Sequence, residues 1–198
     1  MTEISLEPGA DLDGLEVVGH RLDGQDGSSA RVLECSFSGC SLDGVRLDHA
    51  RVIDTTVADS RAGELLLASS TWQDSAWTDL RLGAVQAYGS TWTRMRVSGG
   101  KIDYLNLRDA HLTDVTFVGV MIDELDLARV KATKLSFEDC RVRRLLLSGA
   151  THRDTDLRGI AGLEQIEGID GLAGATISPD QLVDLAPALA DHVGLRVR

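Results

Sequence analysis

Every fifth residue of this chain is apolar over most of its length. From Leu12 the positions Val17, Leu22, Val32, Phe37, Leu42, Leu47, Val52, Val57, Ala62, Leu67, Trp72, Trp77 and Leu82 keep step. The phase runs on through Ala87, Trp92, Val97, Ile102, Leu107, Leu112, Phe117, Ile122, Leu127, Ala132, Phe137, Val142, Leu147 and Leu157. Gly27 and His152 interrupt this row without shifting it. A helix, with a period of 3.6, or an ordinary strand, with a period of 2, loses such a register within a few steps.

A second inward row lies two residues earlier. It includes Ala10, Leu15, Ala30, Cys35, Cys40, Val45, Ala50, Leu105, Ala110, Val115, Val120, Leu125, Val130, Leu135, Cys140, Leu145 and Ala150. A spacing of two puts both rows on one side of an extended segment. The remaining three places of each pentad are mostly Asp, Arg, Ser, Thr and Gly, and read as exposed.

Ala10-Asp11-Leu12-Asp13-Gly14, Cys40-Ser41-Leu42-Asp43-Gly44, Ala110-His111-Leu112-Thr113-Asp114 and Thr155-Asp156-Leu157-Arg158-Gly159 resemble the A-(D/N)-L-x-x unit of the pentapeptide-repeat family. The resemblance covers residues 10–160. It implies an all-β fold: a right-handed quadrilateral parallel β-helix with four pentads per turn, so that faces recur every twenty residues. The residues agree with that spacing. Leu47, Leu67, Ala87, Leu107, Leu127 and Leu147 make one column. Val17, Phe37, Val57, Trp77, Val97, Phe117, Phe137 and Leu157 make an aromatic-rich one, and Trp72 falls above Trp92. About seven coils at roughly 4.8 Å predict a rod about 35 Å long with a filled interior.

The sequence divides into a β-helix over 1–160, a capping segment with a last partial repeat over 161–177, and a helix with its tail over 178–198. Gly24 to Ser29 has no apolar core residue and is expected to be a loosened corner, a small bulging loop or the point where the first coil is displaced. After Leu157 the spacing drifts towards three, through Ile160, Leu163, Ile166, Ile169 and Leu172, before Ala175-Thr176-Ile177 regains the phase. Ser178, Pro179 and Gln181 are an N-cap, a first-turn proline and the third member of a capping box. Leu182, Val183, Leu185, Ala186, Leu189, Ala190 and Val193 form an apolar stripe that ends at Gly194. Pro187 predicts a kink or two short helices, and Gly194 to Arg198 alternates like an edge strand. The Asp180-Gln181 start, the alanine-rich helix and the His192-to-Leu195 ending resemble the C-terminus of mycobacterial quinolone-resistance pentapeptide proteins. In those relatives this end makes the homodimer, which points to Leu182, Leu185, Leu189 and Val193 as dimer contacts; the other reading is a helix that only caps its own chain.

Nothing in the pattern asks for catalysis. His20, His49, His111, His152 and His192 make no spaced pair and none sits beside a cysteine in a metal-ligand pattern. Cys35, Cys40 and Cys140 replace alanine in the inward row and read as core filling. The three tryptophans also fall on core positions. Nucleophile elbow, P-loop and dinucleotide fingerprint are all missing. The expectation is therefore no enzyme, no cofactor and no metal site. No run of about 18 apolar residues predicts a membrane span. Met1 to Glu7 shows no basic, apolar leader, and a cytoplasmic location is expected.

Charge is the remaining clue. The net charge is −11, which disfavours direct contact with nucleic acid phosphates. Residues 1–64 hold 13 acidic and 5 basic residues, residues 65–134 hold 8 of each, and the rest hold 10 and 7. Glu34, Asp54 and Asp74 should stack on one edge, Asp59 and Asp79 on the next, with Glu64 nearby. Such columns cost stability through like-charge repulsion, so a partner surface is expected there. The family resemblance implies one use, imitation of duplex DNA towards DNA gyrase or another topoisomerase, as in quinolone resistance. The alternative is a protein-interaction scaffold with another partner.

Overall fold

A computed structural model describes residues 5–196. Within them the chain winds into a parallel β-helix of four-sided coils, closed at its C-terminal end by one α-helix. Strands on the first face run in order from Asp11–Asp13 through Arg31–Leu33 and Arg51–Ile53 to Thr151–Arg153. Each residue pairs with the one twenty further on: Leu12 with Val32, Val52 with Trp72, Trp72 with Trp92, and Leu112 with Ala132. The second face stacks Val17, Phe37, Val57, Trp77, Val97, Phe117 and Phe137 in the same register. From the third coil, single strands run across two faces, first Arg61–Leu66 and Arg81–Gln86 and then Thr91–Ser98.

The five-residue row fills the interior. Trp92, Leu107, Phe117, Leu127 and Leu147 are fully buried. Trp72, Trp77 and Trp92 meet edge to face with centroids 5.3 Å apart, while Phe117 and Phe137 stack at 5.0 Å. The second row is less apolar than its visible members suggest. Thr55, Ser60, Ser70, Ser75 and Ser90 occupy it and are buried. Most bond to backbone. The Ser60 hydroxyl donates to the Ala58 carbonyl at 2.7 Å and accepts the Cys40 N–H at 2.9 Å. Ser75 does the same for Gln73 and Thr55 at 2.8 and 3.1 Å. Buried backbone groups need partners, and these hydroxyls supply them where the ladder between coils does not. The Cys35, Cys40 and Cys140 thiols take the same donor role towards the carbonyls of Leu33, Ser38 and Glu138.

The segment Gly24 to Ser29 does not bulge. Gly24, Gly27 and Ser29 donate to the next coil at 2.7–2.8 Å and Asp26 bridges Arg46. Its missing core side chain is supplied from outside the coil: Leu6 is buried and its N–H donates to Gln25 Oε1 at 2.8 Å. A Cβ on Gly27 would lie 2.9 Å from Leu47 Cδ2 and 3.4 Å from Leu6 Cβ. The leucine closes the open end and takes the room that the glycine leaves.

At the other end the register slips by one. Cys140 pairs with Ile160, but Leu145 pairs with Ile166. A 3-10 turn at Ile169–Leu172 then covers the first face, and Ala175–Thr176 returns to a twenty-residue offset against Thr155 and Asp156. The α-helix spans Pro179–His192 with the reciprocal Ser178–Gln181 capping box. The Gln181 amide also donates to the Leu157 and Ile160 carbonyls, both at 2.8 Å, tying the helix to the last coil. Pro187 does not break it. The carbonyl that loses its partner belongs to Val183, which is 72% exposed and so is open to water. The helix ends with Gly194 left-handed, Gly194 N–H on Asp191 and Leu195 N–H on Ala190, a Schellman ending. The alternating tail is not a strand at Leu195 and Arg196; Val197 and Arg198 lie outside the described residues.

Candidate functional site

Five of the six acidic positions singled out from sequence sit at corners of the coil. Glu34, Asp54, Asp59, Asp74 and Asp79 all adopt a left-handed backbone, with φ between 49° and 52°. Aspartate tolerates that region better than most residues because its short side chain can bond locally. The fold thus gives one reason for Asp here. It does not demand a carboxylate: Ser29, His49, Ser69, Arg94, Arg129 and Lys134 adopt the same conformation at equivalent corners.

The two edges flank the second face. Glu34, Asp54 and Asp74 line one side, Asp59 and Asp79 the other. Between them Ser36, Ser38, Thr56, Ala58, Ala76 and Thr78 point outwards from the strands Ser36–Ser38, Thr56–Ala58 and Ala76–Thr78. These short side chains leave a flat floor without a cation. Glu64 stands apart. It lies inside the strand Arg61–Leu66, beyond the third face, and is not part of this patch.

Arg94 bounds the patch. Its Nη2 donates to Asp74 Oδ2 at 2.7 Å and its Nε donates to Oδ1. Those bonds, with one from Gln73, hold the Asp74 carboxyl down to about 2. Asp74 remains ionised across the physiological range, but its charge is matched. Glu34, Asp54, Asp59 and Asp79 make no ion pair among the described residues. Arg96 follows on the second face itself, one coil beyond Ala76. The third face carries the contrasting column, with Arg61, Arg81 and Lys101 in register on adjacent coils. The sequence reading missed it, although its twenty-residue spacing was visible.

On the C-terminal helix, Leu182 and Val193 are exposed and Leu189 is half-buried, whereas Leu185 is buried by its own chain at 6% exposure. The apolar stripe is therefore divided: Leu185 turns inward and its neighbours turn to solvent. No group of three or more His, Cys, Asp or Glu able to hold a metal occurs among the described residues. None of the described helices is long and apolar enough to cross a membrane.

His152 occupies a core position under the cap. Neither ring nitrogen has a hydrogen-bond partner, and burial pushes the imidazole below its usual 6.5. The nearby Gly171 amide is already committed to Gly168 at 2.8 Å. The folded state disfavours the charged ring, so its contribution is unchanged above about pH 6.5 and stability falls as pH drops below it, where the opened state takes the proton more readily. Hydrogen exchange of residues 162–177, corrected for intrinsic rates, should accelerate between pH 7.5 and pH 5. His152→Leu should abolish that dependence and stabilise the chain by about 1–2 kcal/mol. Equal pH dependence in both proteins would assign it elsewhere.

Residues 30–107 match the model of the pentapeptide repeat region. Among solved structures, the trypsin-treated plasmid-mediated fluoroquinolone resistance protein QnrB1 is 14% identical, with 93% of this chain and 99% of that one covered and a TM-score of 0.34. HetL, a pentapeptide-repeat protein involved in heterocyst differentiation regulation in the cyanobacterium Nostoc, is 14% identical over 85% and 90% of the two chains, with a TM-score of 0.25. A comparison with curated proteins gave no match. Residues 30–107 are thus a pentapeptide repeat region, and the five-residue phase and twenty-residue register continue on both sides of it, from Leu12 paired with Val32 to Leu112 paired with Ala132.

Proposed function

We propose that this is a non-catalytic binding protein whose first four coils offer an anionic surface to a protein partner built to receive duplex DNA, DNA gyrase being the candidate. The observation that carries the reading is the pair of carboxylate edges on either side of a flat, cation-free face. Regular rows of negative charge along a rod are what a cationic DNA channel is shaped to meet. In this reading residues 1–160 present the surface, 161–177 close the open end, and 178–198 join two copies through Leu182, Leu189 and Val193 in the cytoplasm. Neither metal nor cofactor takes part.

A protein-interaction scaffold with a different partner is the second reading. It is favoured by Arg94 and Arg96, which end the acidic patch in the fifth coil. The two readings differ in salt dependence. Binding of gyrase to the immobilised protein should weaken by at least tenfold between about 50 and 200 mM salt, a span over which exposed charges become strongly screened. The triple variant Asp54→Asn, Asp59→Asn, Asp79→Asn removes three charges while asparagine keeps the left-handed corners. It should remain folded and lose most of the binding. Undiminished binding by the folded variant would transfer the contact to another surface.

A further inference from the structure

The first four coils enclose an interior cavity of about 50 Å³. Its origin lies in the volumes of the core row. The first face carries Val32 and Val52 where the next coils carry Trp72 and Trp92, and the second carries Val57 above Trp77. The edge-to-face pair of Trp72 and Trp77 forms the floor, and Leu6, pinned through Gln25, forms the roof. Small residues are thus stacked over large ones, and the coil cannot narrow to compensate, because its width is fixed by the ladder at every face.

The lining is apolar throughout. Thr55, its one polar member, turns its hydroxyl to the Ile53 carbonyl at 3.0 Å, leaving its methyl for the interior. Water needs two to four polar partners and takes about 30 Å³ of liquid volume. The space is large enough for a small molecule, but offers water nothing to bond. We infer that this cavity is a binding site for one small apolar molecule of xenon or dioxygen size. The ligand class follows from volume and lining: a charged, polar or ring-sized guest does not fit.

The test uses xenon as the probe on the full chain. Methyl NMR under increasing xenon pressure should give saturable shifts for Val32, Val52 and Val57, with the methyls of Val120, Val130 and Val142 in the later coils unmoved. Val52→Ile and Val57→Ile, singly and together, fill the space by a methyl each without changing the strand pattern. The filled protein, with its remaining spectrum intact, should lose the saturable shift by tenfold or more. Shifts that rise linearly with pressure, or that persist unchanged in the filled variants, would overturn the assignment. Should the double variant not fold, either single variant provides the same comparison.

Discussion

Phe117→Ala is expected to destabilise the protein by about 3–5 kcal/mol, the usual range for deleting a large aromatic from a core that cannot collapse around the gap. Phe117 is fully buried and stacks on Phe137 with ring planes 8° apart. It is the next-to-last residue of the strand His111–Val118, which pairs on both sides with strands of equal length, Thr91–Ser98 and Lys131–Glu138. In a solenoid each coil is supported only by its neighbours. The loss should therefore appear first as faster hydrogen exchange in these three coils, with the first two coils less affected. Chemical denaturation gives the total, and exchange by residue gives the distribution. Uniform loss of protection from end to end would mean that the array behaves as one cooperative block.

The second large effect is expected at Gly100→Ala. Gly99 and Gly100 are consecutive left-handed residues, with φ of 62° and 72°. A Cβ on Gly100 would lie 2.2 Å from the Leu80 carbonyl oxygen and 2.6 Å from the Leu80 nitrogen. Both contacts are with backbone of the coil above, so no rotamer relieves them. The coils must part locally, and the Lys101 N–H bond to the Leu80 carbonyl, 2.8 Å, is the first to go. A cost of about 3 kcal/mol or more follows from the left-handed strain together with the clash. Gly119→Ala is the control: its φ is 61° but no atom lies within 4 Å of a Cβ there, so it should cost about 1 kcal/mol. Thermal unfolding of the two variants separates the clash from the dihedral preference. Similar midpoints for the two would remove the close approach as the cause.

The repeat was legible because one physical requirement, two inward places per pentad, is imposed thirty times. Register, aromatic columns and the Ser178–Gln181 cap follow from residue spacing alone. What was not legible depends on contacts twenty residues or more apart. Buried Thr55, Ser60 and Ser75 read as lapses in an apolar row until their bonds to backbone are seen. The Gly24–Ser29 segment reads as a break until Leu6 is found filling it. A period of 3.6 puts Leu182, Leu185, Leu189 and Val193 on one stripe, but it does not say that the last coil takes only Leu185.

In the structure Glu34, Asp54 and Asp74 stand on one edge and Asp59 and Asp79 on the next, while Glu64 lies one face further on. Sequence spacing gives the corner of each carboxylate but not its neighbours across coils, so the neutralisation of Asp74 by Arg94 could not be read from a list of charges. The left-handed φ at these corners was equally hidden, and it supplies a local reason for aspartate that competes with the functional one.

Whether the acidic coils engage gyrase is measured by DNA supercoiling with purified gyrase and this protein titrated in, with and without a fluoroquinolone. Inhibition or drug protection is expected at micromolar concentration or below, lost in the Asp54, Asp59 and Asp79 to asparagine variant. Unaltered supercoiling and unaltered drug sensitivity at high concentrations of the folded protein would contradict that engagement.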